Sequence, residues 1–359
     1  MDRGHIVEAG ERISIIILAH NHLDMTRRCL ESLAGAVAHL DHEVILLDNA
    51  SSEDTTRLRT CSHLFKQWQF LRSEENLSFS RSNNRCASRA SGRYLLFLNN
   101  DVFVAPETVE RLVGCLQDDD SPGIVGGMLL FPEGNTVQHA GMSQMVWGFP
   151  SNYGVGAHPS DQRVRQAAER FALTGAMMCL PRDLYCQVGG FDERYIWGYE
   201  DVDLCLKIRS AGRRILYLPQ ATGVHVESAT LKVVQNRDQS GNYRVYRATW
   251  DPVLLPPEQA YIRKLKRQGI RSVAVFGTGL AARGLSGILS ENGIQIVGFT
   301  SSEKQDQGES FLGRPILPLA ALRGLNYDRL IVASQFFFAV ESMIRQFDPL
   351  QAPIFPILI

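Results

Sequence analysis

Along the first hundred positions, the pattern of apolar and polar residues predicts short strands that alternate with longer helices. The β-branched run "ISIIIL" at 13–18 has the length of a buried strand, and Met25, Cys29 and Leu33 recur after it at helical spacing. The run "HEVILLDNAS" begins the same order again. This alternation predicts an α/β fold with a mostly parallel sheet and helices on both faces.

Two of the predicted strands run directly into polar residues. The strand at 43–47 ends on Asp48, and the strand in "RYLLFLNND" ends on Asn99, Asn100 and Asp101. Ligands of open α/β sheets bind beyond the carboxyl ends of the strands. We therefore expect Asp48 and Asp101 to share one crevice.

The pattern loosens after Ser121 into long loops, which within a compact domain are often functional. Residues 231–260 have few periodic apolar segments and end in "DPVLLPPEQ", which is typical of a linker. We predict a first domain over 11–230, a linker and connecting helix over 231–269, and a smaller α/β domain over 270–359.

The smaller domain contains "VFGTGLAARG", a G-x-G-x-x-A sequence between a predicted strand and a predicted helix, as dinucleotide binding requires. The acidic residue expected about twenty positions later is replaced by Thr300. We therefore favour packing or self-association, giving a homo-oligomer, over NAD binding. Phe336, Phe337 and Phe338 in this domain are typical of core residues.

Composition and charge narrow the classes of function. The 359 residues carry a formal net charge of -1 without a concentrated basic stripe, which argues against nucleic-acid binding. Seven cysteines without a C-x-x-C pair favour reduced thiols. No window approaches the roughly 18–20 apolar residues of a membrane span, and no signal peptide is evident. We expect a cytoplasmic protein, or a peripheral one at the inner face of the cytoplasmic membrane.

Two strand ends offer polar groups suited to a nucleotide and a cation. Asp48 can accept hydrogen bonds from a ribose or a base edge, although Asp is equally common in turns and helix caps. Asn100 and Asp101 suit a hard cation such as Mg²⁺ or Mn²⁺, which takes one or two carboxylates together with substrate phosphates and water. A polar turn explains the same residues.

The stretch "WGYEDVDLCLKIRSAGRRI" places Glu200, Asp201 and Asp203 in the first turn of a predicted helix. Complementarity to the helix dipole is one explanation. Crowded carboxylates also raise the pKa of at least one member, which suits a general base. Tyr195 and Tyr199 nearby are expected to be exposed, where aromatic rings can hold sugar faces.

His225, in "GVHVES", follows a predicted strand. A single histidine is more often structural or solvent-exposed than functional. An adjacent metal site changes that interpretation, because imidazole is a common metal ligand.

The order of these segments resembles that of the family 2 inverting glycosyltransferases with the GT-A fold, in the branch of rhamnosyltransferase-like enzymes of bacterial surface-polysaccharide assembly. The segments are, along the chain, "AHNHLDMTRRCLESL", "LLDNASSED", "ENLSFSRSNN", "GRYLLFLNNDV", "LTGAMMCLPRD", "GGFDERYIWGYEDVDLCLKIRSAG" and "VHVES". The resemblance covers residues 11–230. It implies a GT-A sheet, and the remaining domain resembles the Rossmann-like domains attached to some sugar-modifying enzymes.

The resemblance also implies roles for individual residues. Those expected to bind the nucleotide are Asn21, Asp48, Arg81, Asn84 and Asn100.

The same resemblance implies a second group of residues for catalysis, metal binding and acceptor binding. Asp201 corresponds to the catalytic base, with Glu200 beside it, and Asp101 and His225 would hold the metal. Trp197 and Asp192, together with Phe191, are the candidates for the acceptor side.

The sequence therefore predicts a transferase dependent on Mg²⁺ or Mn²⁺ that moves a sugar from a UDP-, dTDP- or GDP-linked donor to a glycan or lipid-linked acceptor hydroxyl. A nucleotidyltransferase acting on sugar phosphates is one alternative, but it needs a glycine-rich loop after the first strand, and "AHNHLDMTRR" has no glycine. A non-catalytic protein that binds sugar nucleotides as a scaffold is the other.

Overall fold

The computed structural model describes residues 11–117, 122–196, 198–226, 239–254, 256–301, 308–334, 337–347 and 354–357. They form two compact units. The first contains residues up to 142 together with 158–250, and the second contains 143–157 together with the chain from 251 onward. These boundaries differ from the predicted ones, because residues 143–157 join the second unit and the helix at 239–250 joins the first.

In the described part of the first unit, ten strands form one sheet. The strands up to β12 are β1 (Ile13–Ala19), β2 (His42–Asn49), β3 (Trp68–Ser73), β4 (Tyr94–Asn99), β5 (Val102–Val104), β6 (Ile124–Leu130), β7 (Val137–His139), β8 (Met142–Gln144), β9 (Pro150–Asn152), β10 (Ala168–Glu169), β11 (Met177–Pro181) and β12 (Ile215–His225). Strands β8 and β9 pair only with each other.

The large sheet has the order β10-β12-β6-β11-β4-β1-β2-β3, and β5 and β7 are attached to β12 and β6. Strand β1 is parallel to both β2 and β4, and β3 is parallel to β2. Strand β11 runs antiparallel between β4 and β6. This mixed, mostly parallel sheet confirms the predicted fold class.

Helices cover the sheet because each has an apolar face of the correct period. The helices of the first unit are α1 (Leu23–Val37), α2 (Thr56–Arg59), α3 (Phe79–Ala87), α4 (Thr108–Gln117), α5 (Arg182–Gln187), α6 (Glu200–Ser210) and α7 (Gln239–Trp250). In α1 the buried positions include Cys29, Leu30 and Leu33, as the spacing predicts. Each such side chain removed from water contributes roughly 1.5–3 kcal/mol.

The second unit contains a smaller, mainly parallel sheet. Its strands are β13 (Ser272–Phe276), β14 (Gln295–Thr300), β15 (Ser310–Phe311), β16 (Arg314–Leu317), β17 (Arg329–Val332) and β18 (Ile354–Pro356), in the order β15-β16-β14-β13-β17-β18. Its helices are α8 (Pro257–Arg267), α9 (Leu280–Glu291) and α10 (Phe337–Phe347). The parallel order outward from β13 is that of a Rossmann-like half.

The segment 143–157 is part of this second unit. Val146 is fully buried in the core of the unit, and its N–H donates to the carbonyl of Ile357. The ring of Tyr153 packs against that of Phe338 at 5.1 Å. Phe337 and Phe338 are buried, which confirms them as core, and Phe336 lies outside the described residues.

None of the helices in the described part of the chain is long and apolar enough to cross a membrane.

Candidate active site

The central strands of the large sheet bring the predicted site residues to one edge. Ala19 at the end of β1 is opposite Asp48 on β2, and Leu18 is opposite Asn99 on β4. Neighbouring strands lie about 4.8 Å apart, so Asp48 and the end of β4 are separated by roughly 10 Å. Asp101 follows two residues after β4, and this edge therefore gathers acids that are more than fifty positions apart in sequence.

Asp48 is fully buried at this edge and is surrounded by donors. Its carboxylate accepts hydrogen bonds from the Thr55 hydroxyl at 2.6 Å and from the Ser51 N–H at 3.0 Å, and it forms an ion pair with Arg72. Burial opposes ionisation, but these hydrogen bonds and the guanidinium outweigh it and lower the pKa of Asp48. The group is therefore a carboxylate at neutral pH.

Asn21 ties the loop after β1 to the loop after β2. Its backbone adopts the left-handed region, with φ of 57°. Its side-chain oxygen accepts hydrogen bonds from the N–H and the hydroxyl of Ser52, and its own N–H donates to the Ser51 hydroxyl at 2.8 Å. The loop between β1 and α1 contains His20, Asn21 and His22, and it lacks the glycine that the nucleotidyltransferase alternative would require.

Asp101 and His225 form a close pair at the same edge. Strand β12 runs antiparallel to β5 with His225 opposite Val102, and this register brings the imidazole Nε2 to 3.2 Å from Asp101 Oδ1. Both side chains are largely buried. Asn100 beside them donates to the Thr26 hydroxyl at 2.8 Å, which anchors the turn to α1.

The Asp101 and His225 pair fits a divalent cation. Two ligands at right angles on an octahedral ion with bonds of about 2.1 Å are about 3 Å apart, close to the 3.2 Å between these donor atoms. Among the described residues no group of three or more His, Cys, Asp or Glu side chains is arranged to hold a metal. The described residues thus offer two ligands, and other oxygens, such as those of phosphate and water, would have to complete the coordination.

Asp201 is linked to this edge through the two residues that precede β11. The N–H of Gly175 donates to Asp201 Oδ2 at 3.0 Å, and the N–H of Asn99 donates to the carbonyl of Ala176, the next residue. The Val202 N–H donates to Oδ1 at 2.8 Å. These contacts bring the beginning of α6 beside the end of β4.

Glu200 and Asp201 form a pair of carboxyl groups with different surroundings. Burial, followed by the charge of Asp201, raises the pKa of Glu200 to about 8. Glu200 Oε2 is buried and has no hydrogen-bond partner among the described residues. Burial also raises the pKa of Asp201, but the N–H donors of Gly175 and Val202 oppose the rise. Burial therefore favours the protonated form of both carboxyl groups, and the two N–H donors on Asp201 favour its charged form.

Asp203 belongs to the packing of α6 rather than to this pair. It is fully buried, with Lys207 Nζ at 2.8 Å, the Trp250 indole N–H at 3.0 Å and the Tyr195 hydroxyl at 3.4 Å. The prediction that Tyr195 is exposed is wrong, because its ring is buried. Tyr199 packs on Tyr246 of α7 with ring centroids 5.3 Å apart.

The loop before α6 is attached to α3 through Asn84. The Asn84 amide donates to Phe191 O and to Glu193, and its oxygen accepts from the Phe191 N–H and the Tyr185 hydroxyl. These four contacts use the hydrogen-bonding capacity of the Asn84 amide within the protein. Arg81 on the same helix donates to Glu193 at 3.3 Å.

A cavity of about 550 Å³ opens between this loop and the beginning of α3. Arg81 and Asp192 both line it, and Asp192 is paired with Arg194 at 2.6 Å, which lowers the pKa of the carboxyl group. Phe191, an acceptor candidate from the sequence, is instead buried against Phe97 at 5.0 Å. Trp197 lies outside the described residues.

Comparison with known families identifies the first unit. Residues 14–178 match the family described as Glycosyl transferase family 2, and residues 161–228 match one described as the N-terminal domain of galactosyltransferase. Residues 14–178 are a family 2 glycosyltransferase domain. This confirms the family and the enzyme class predicted from the order of motifs. Residues 269–348 match the family described as C2185-like, N-terminal.

Relatives of the glycosyltransferase domain include an O-antigen biosynthesis protein and a rhamnosyltransferase. The O-antigen biosynthesis protein RfbC of Myxococcus xanthus is 32% identical over 259 residues, which are 68% of this chain and 20% of RfbC. The rhamnosyltransferase WbbL of Escherichia coli K12 is 23% identical over 233 residues, which are 59% of this chain and 83% of WbbL. The chain spans between 20 and 41% of the length of RfbC and two other curated relatives.

A solved structure shares the fold. GalNAc-T7, crystallised with UDP, GalNAc and Mn²⁺, aligns with a TM-score of 0.53 at 16% identity, over 80% of this chain and 56% of that one. At this identity the similarity concerns the fold alone, and it supports the GT-A architecture.

Four residues that contact the candidate site were not found by sequence reasoning. Arg72 pairs with Asp48, Gly175 donates to Asp201, Gln138 contacts His225, and Asn242 of α7 holds the loop before α6 by bonding to Ile196 and Gly198. Arg72 is the penultimate residue of β3, which is a weak signal. The others depend on pairing between distant segments, for which a single sequence has no local pattern.

Proposed function

We propose that the chain is a metal-dependent, inverting glycosyltransferase that moves a sugar from a nucleotide-diphosphate donor to an acceptor hydroxyl. The observation that carries the proposal is that three kinds of group share one edge of the sheet. These are the buried carboxylate of Asp48, the Asp101 and His225 pair, and Asp201 held by the Gly175 N–H. The first group suits a nucleotide, the second a cation with its diphosphate, and the third a reacting hydroxyl.

We assign the nucleotide side to Asp48, Asn21 and Asn100. The Asp48 carboxylate is kept charged by Thr55, Ser51 and Arg72, so this end of the pocket is fixed before a nucleotide enters. Arg81 is exposed at the cavity beside α3 and is suited to a donor phosphate or sugar. Asn84 supports this group indirectly, by holding the loop at 190–193.

We assign the diphosphate side to Asp101 and His225, which would hold Mg²⁺ or Mn²⁺. When bound, the cation supplies Lewis-acid stabilisation for negative charge on the departing diphosphate. The oxygen of Asp101 suits either ion, and the imidazole of His225 favours Mn²⁺ over Mg²⁺.

We assign the general base to Asp201. Its carboxylate is oriented by two backbone N–H groups and would take the proton of the acceptor hydroxyl while that oxygen attacks the anomeric carbon from the face opposite the diphosphate. Burial and the charge of Asp201 raise the pKa of Glu200, and a proton on Glu200 would leave the charge of the pair on Asp201. Attack from the opposite face inverts the anomeric configuration.

The acceptor would enter beside the loop at 192–196. Asp192 lines the cavity there, and Trp197 follows in sequence. RfbC and WbbL, an O-antigen biosynthesis protein and a rhamnosyltransferase, support an acceptor in bacterial surface polysaccharide or a lipid-linked precursor of it. With such an acceptor the protein would work at the inner face of the cytoplasmic membrane.

The decisive experiment is a donor screen followed by an assay. Thermal stabilisation by UDP-, dTDP- and GDP-sugars, each with Mn²⁺, identifies the donor, because a ligand of the folded state raises the melting temperature by mass action. Transfer is then measured with and without chelator. We expect one nucleotide class to stabilise the chain and chelator to abolish transfer. Full activity in chelator, or stabilisation by none of the donors, contradicts the proposal.

A further inference from the structure

The Asp101 and His225 pair is supported by Gln138 of β7, which no sequence motif singles out. Nδ1 of His225 lies 2.7 Å from Oε1 of Gln138, and the Gln138 amide nitrogen donates to the backbone carbonyl of His225 at 3.3 Å. Gln138 is only 4% exposed. One buried amide thus holds both the ring and the backbone of the same histidine.

These two contacts determine which ring nitrogen carries the hydrogen. A backbone carbonyl only accepts hydrogen bonds, so the amide nitrogen of Gln138 must face it and Oε1 must face the ring. Because Oε1 also only accepts, Nδ1 of His225 is the protonated nitrogen. The lone pair of the neutral ring is then on Nε2, the atom that lies 3.2 Å from Asp101 Oδ1.

A β-bulge brings Gln138 to this position. In the antiparallel pairing of β6 with β7, Leu129 is opposite His139 and Leu130 is opposite Val137, so Gln138 is the extra residue. Bulges redirect side chains and are frequent beside active sites. On its other side β6 pairs with β12, with Leu130 opposite Val224, the residue before His225. The bulge therefore lies next to the end of β12, where Gln138 can reach His225.

We propose that Gln138 is a positioning residue that fixes the tautomer and ring orientation of His225, so that Nε2 is presented as a cation ligand beside Asp101. This inference rests on the proposed metal dependence. The second nitrogen of a metal-binding histidine is usually hydrogen-bonded, and loss of that partner typically lowers metal affinity about 10–100-fold.

The test uses Mn²⁺ alone as the probe, titrated into the full chain and followed by the electron paramagnetic resonance of the free ion. Gln138→Met keeps the side-chain length and removes both hydrogen bonds, and we expect its Kd for Mn²⁺ to rise about 10–100-fold. Gln138→Glu retains an acceptor for Nδ1–H and should stay close to the unmodified protein. Gln69→Met, in β3 of the same sheet, is the matched control and should leave the Kd unchanged.

The ring tautomer supplies a second readout that a purely structural role would not change. In protein with ¹⁵N-labelled histidine, the His225 signals are assigned by their loss in His225→Ala. We expect Nδ1 to carry a hydrogen in the metal-free chain and in Gln138→Glu, and to lack it in a fraction of the molecules of Gln138→Met. Should Gln138→Met not fold, Gln138→Asn, one methylene too short to reach the ring, makes the same comparison.

The outcomes separate this inference from the proposed function. Unchanged Mn²⁺ affinity and an unchanged tautomer in the Gln138 variants, while His225→Ala binds weakly, would overturn the role of Gln138 and leave the metal site intact. Unchanged Mn²⁺ affinity in both His225→Ala and Asp101→Asn would overturn the metal site itself.

Discussion

The two larger sheets of this protein both have parallel strands at their centre, but they differ at the edge where ligands of such sheets bind. In the large sheet the strand ends and the loops just after them carry Asp48, Asp101 and His225, each with polar partners. In the small sheet the described ends of β13 and β14 are Phe276 and Thr300, and neither is acidic or basic. The strand order therefore creates a possible binding edge in both sheets. The residues at the strand ends decide which chemistry that edge can support.

Thr300 shows the difference most clearly. It occupies the position where the dinucleotide fingerprint predicts an acid, it is fully buried, and its hydroxyl has no hydrogen-bond partner among the described residues. Asp48, at the corresponding end of the second strand of the large sheet, is equally buried but accepts three hydrogen bonds. The two side chains are equally buried, but among the described residues only Asp48 has hydrogen-bond donors around it.

The largest effect is expected from a substitution beside the large sheet, and it should appear in the transfer rate. Asp201→Asn should lower turnover by about a hundredfold or more, the usual contribution of a general base, while donor binding stays nearly intact. Steady-state rates and donor affinity measured on the same preparation test this. Asp203→Asn is the control for a carboxylate of the same helix that packs inward, and its loss should appear in stability first. Comparable turnover in Asp201→Asn would remove that residue from the base role.

Asp48→Asn should have the next largest effect. The amide replaces one acceptor oxygen with a donor and faces the Thr55 hydroxyl, the Ser51 N–H and Arg72, so the free energy of unfolding should fall by roughly 2 kcal/mol. Urea denaturation of the first unit measures the change. Asp41→Asn, which breaks the more exposed pair with Arg12, should cost roughly 0.5 kcal/mol or less. Equal losses in the two variants would contradict this account of Asp48.

Glu200→Gln tests the carboxyl pair through the pH dependence of stability. Because the pKa of Glu200 is raised to about 8 in the folded state, the folded chain binds more protons than the unfolded chain between about pH 4.5 and 8. Its contribution to stability is therefore complete below that window and is lost as the pH rises through it. The variant should lose this decline, which at about 1.4 kcal/mol for each pH unit of the window amounts to as much as roughly 4 kcal/mol between pH 5 and pH 8.5. A slope identical to that of the unmodified chain would show that Glu200 does not titrate in this range.

The smallest effect is expected in the second unit. Thr300→Val removes a buried hydroxyl without a partner among the described residues, and should stabilise the unit by roughly 0.5–1 kcal/mol with no change in transfer rate. Thr108→Val is the matched control, because the Thr108 hydroxyl donates to Thr222 O and accepts from the Thr222 N–H. That variant should be destabilised. A lower transfer rate in Thr300→Val would mean that the small sheet takes part in the reaction.

The sequence by itself determined the elements and the family of the first unit. Apolar periodicity is a local property, and it predicted a strand at 13–18, the buried face of α1 and the helix carrying Glu200 and Asp201. The acids at strand ends followed from the same periodicity, because parallel strands present their carboxyl ends at one edge.

Only the tertiary structure decided which side chains meet. The pairing of Asp48 with Arg72, the bulge that brings Gln138 to His225, and the N–H of Gly175 on Asp201 all depend on strand register between distant segments. The segment 143–157 joined the second unit, and Tyr195 proved buried, for the same reason. Register and packing are set by the summed free energy of many long-range contacts, which no short stretch of one sequence encodes.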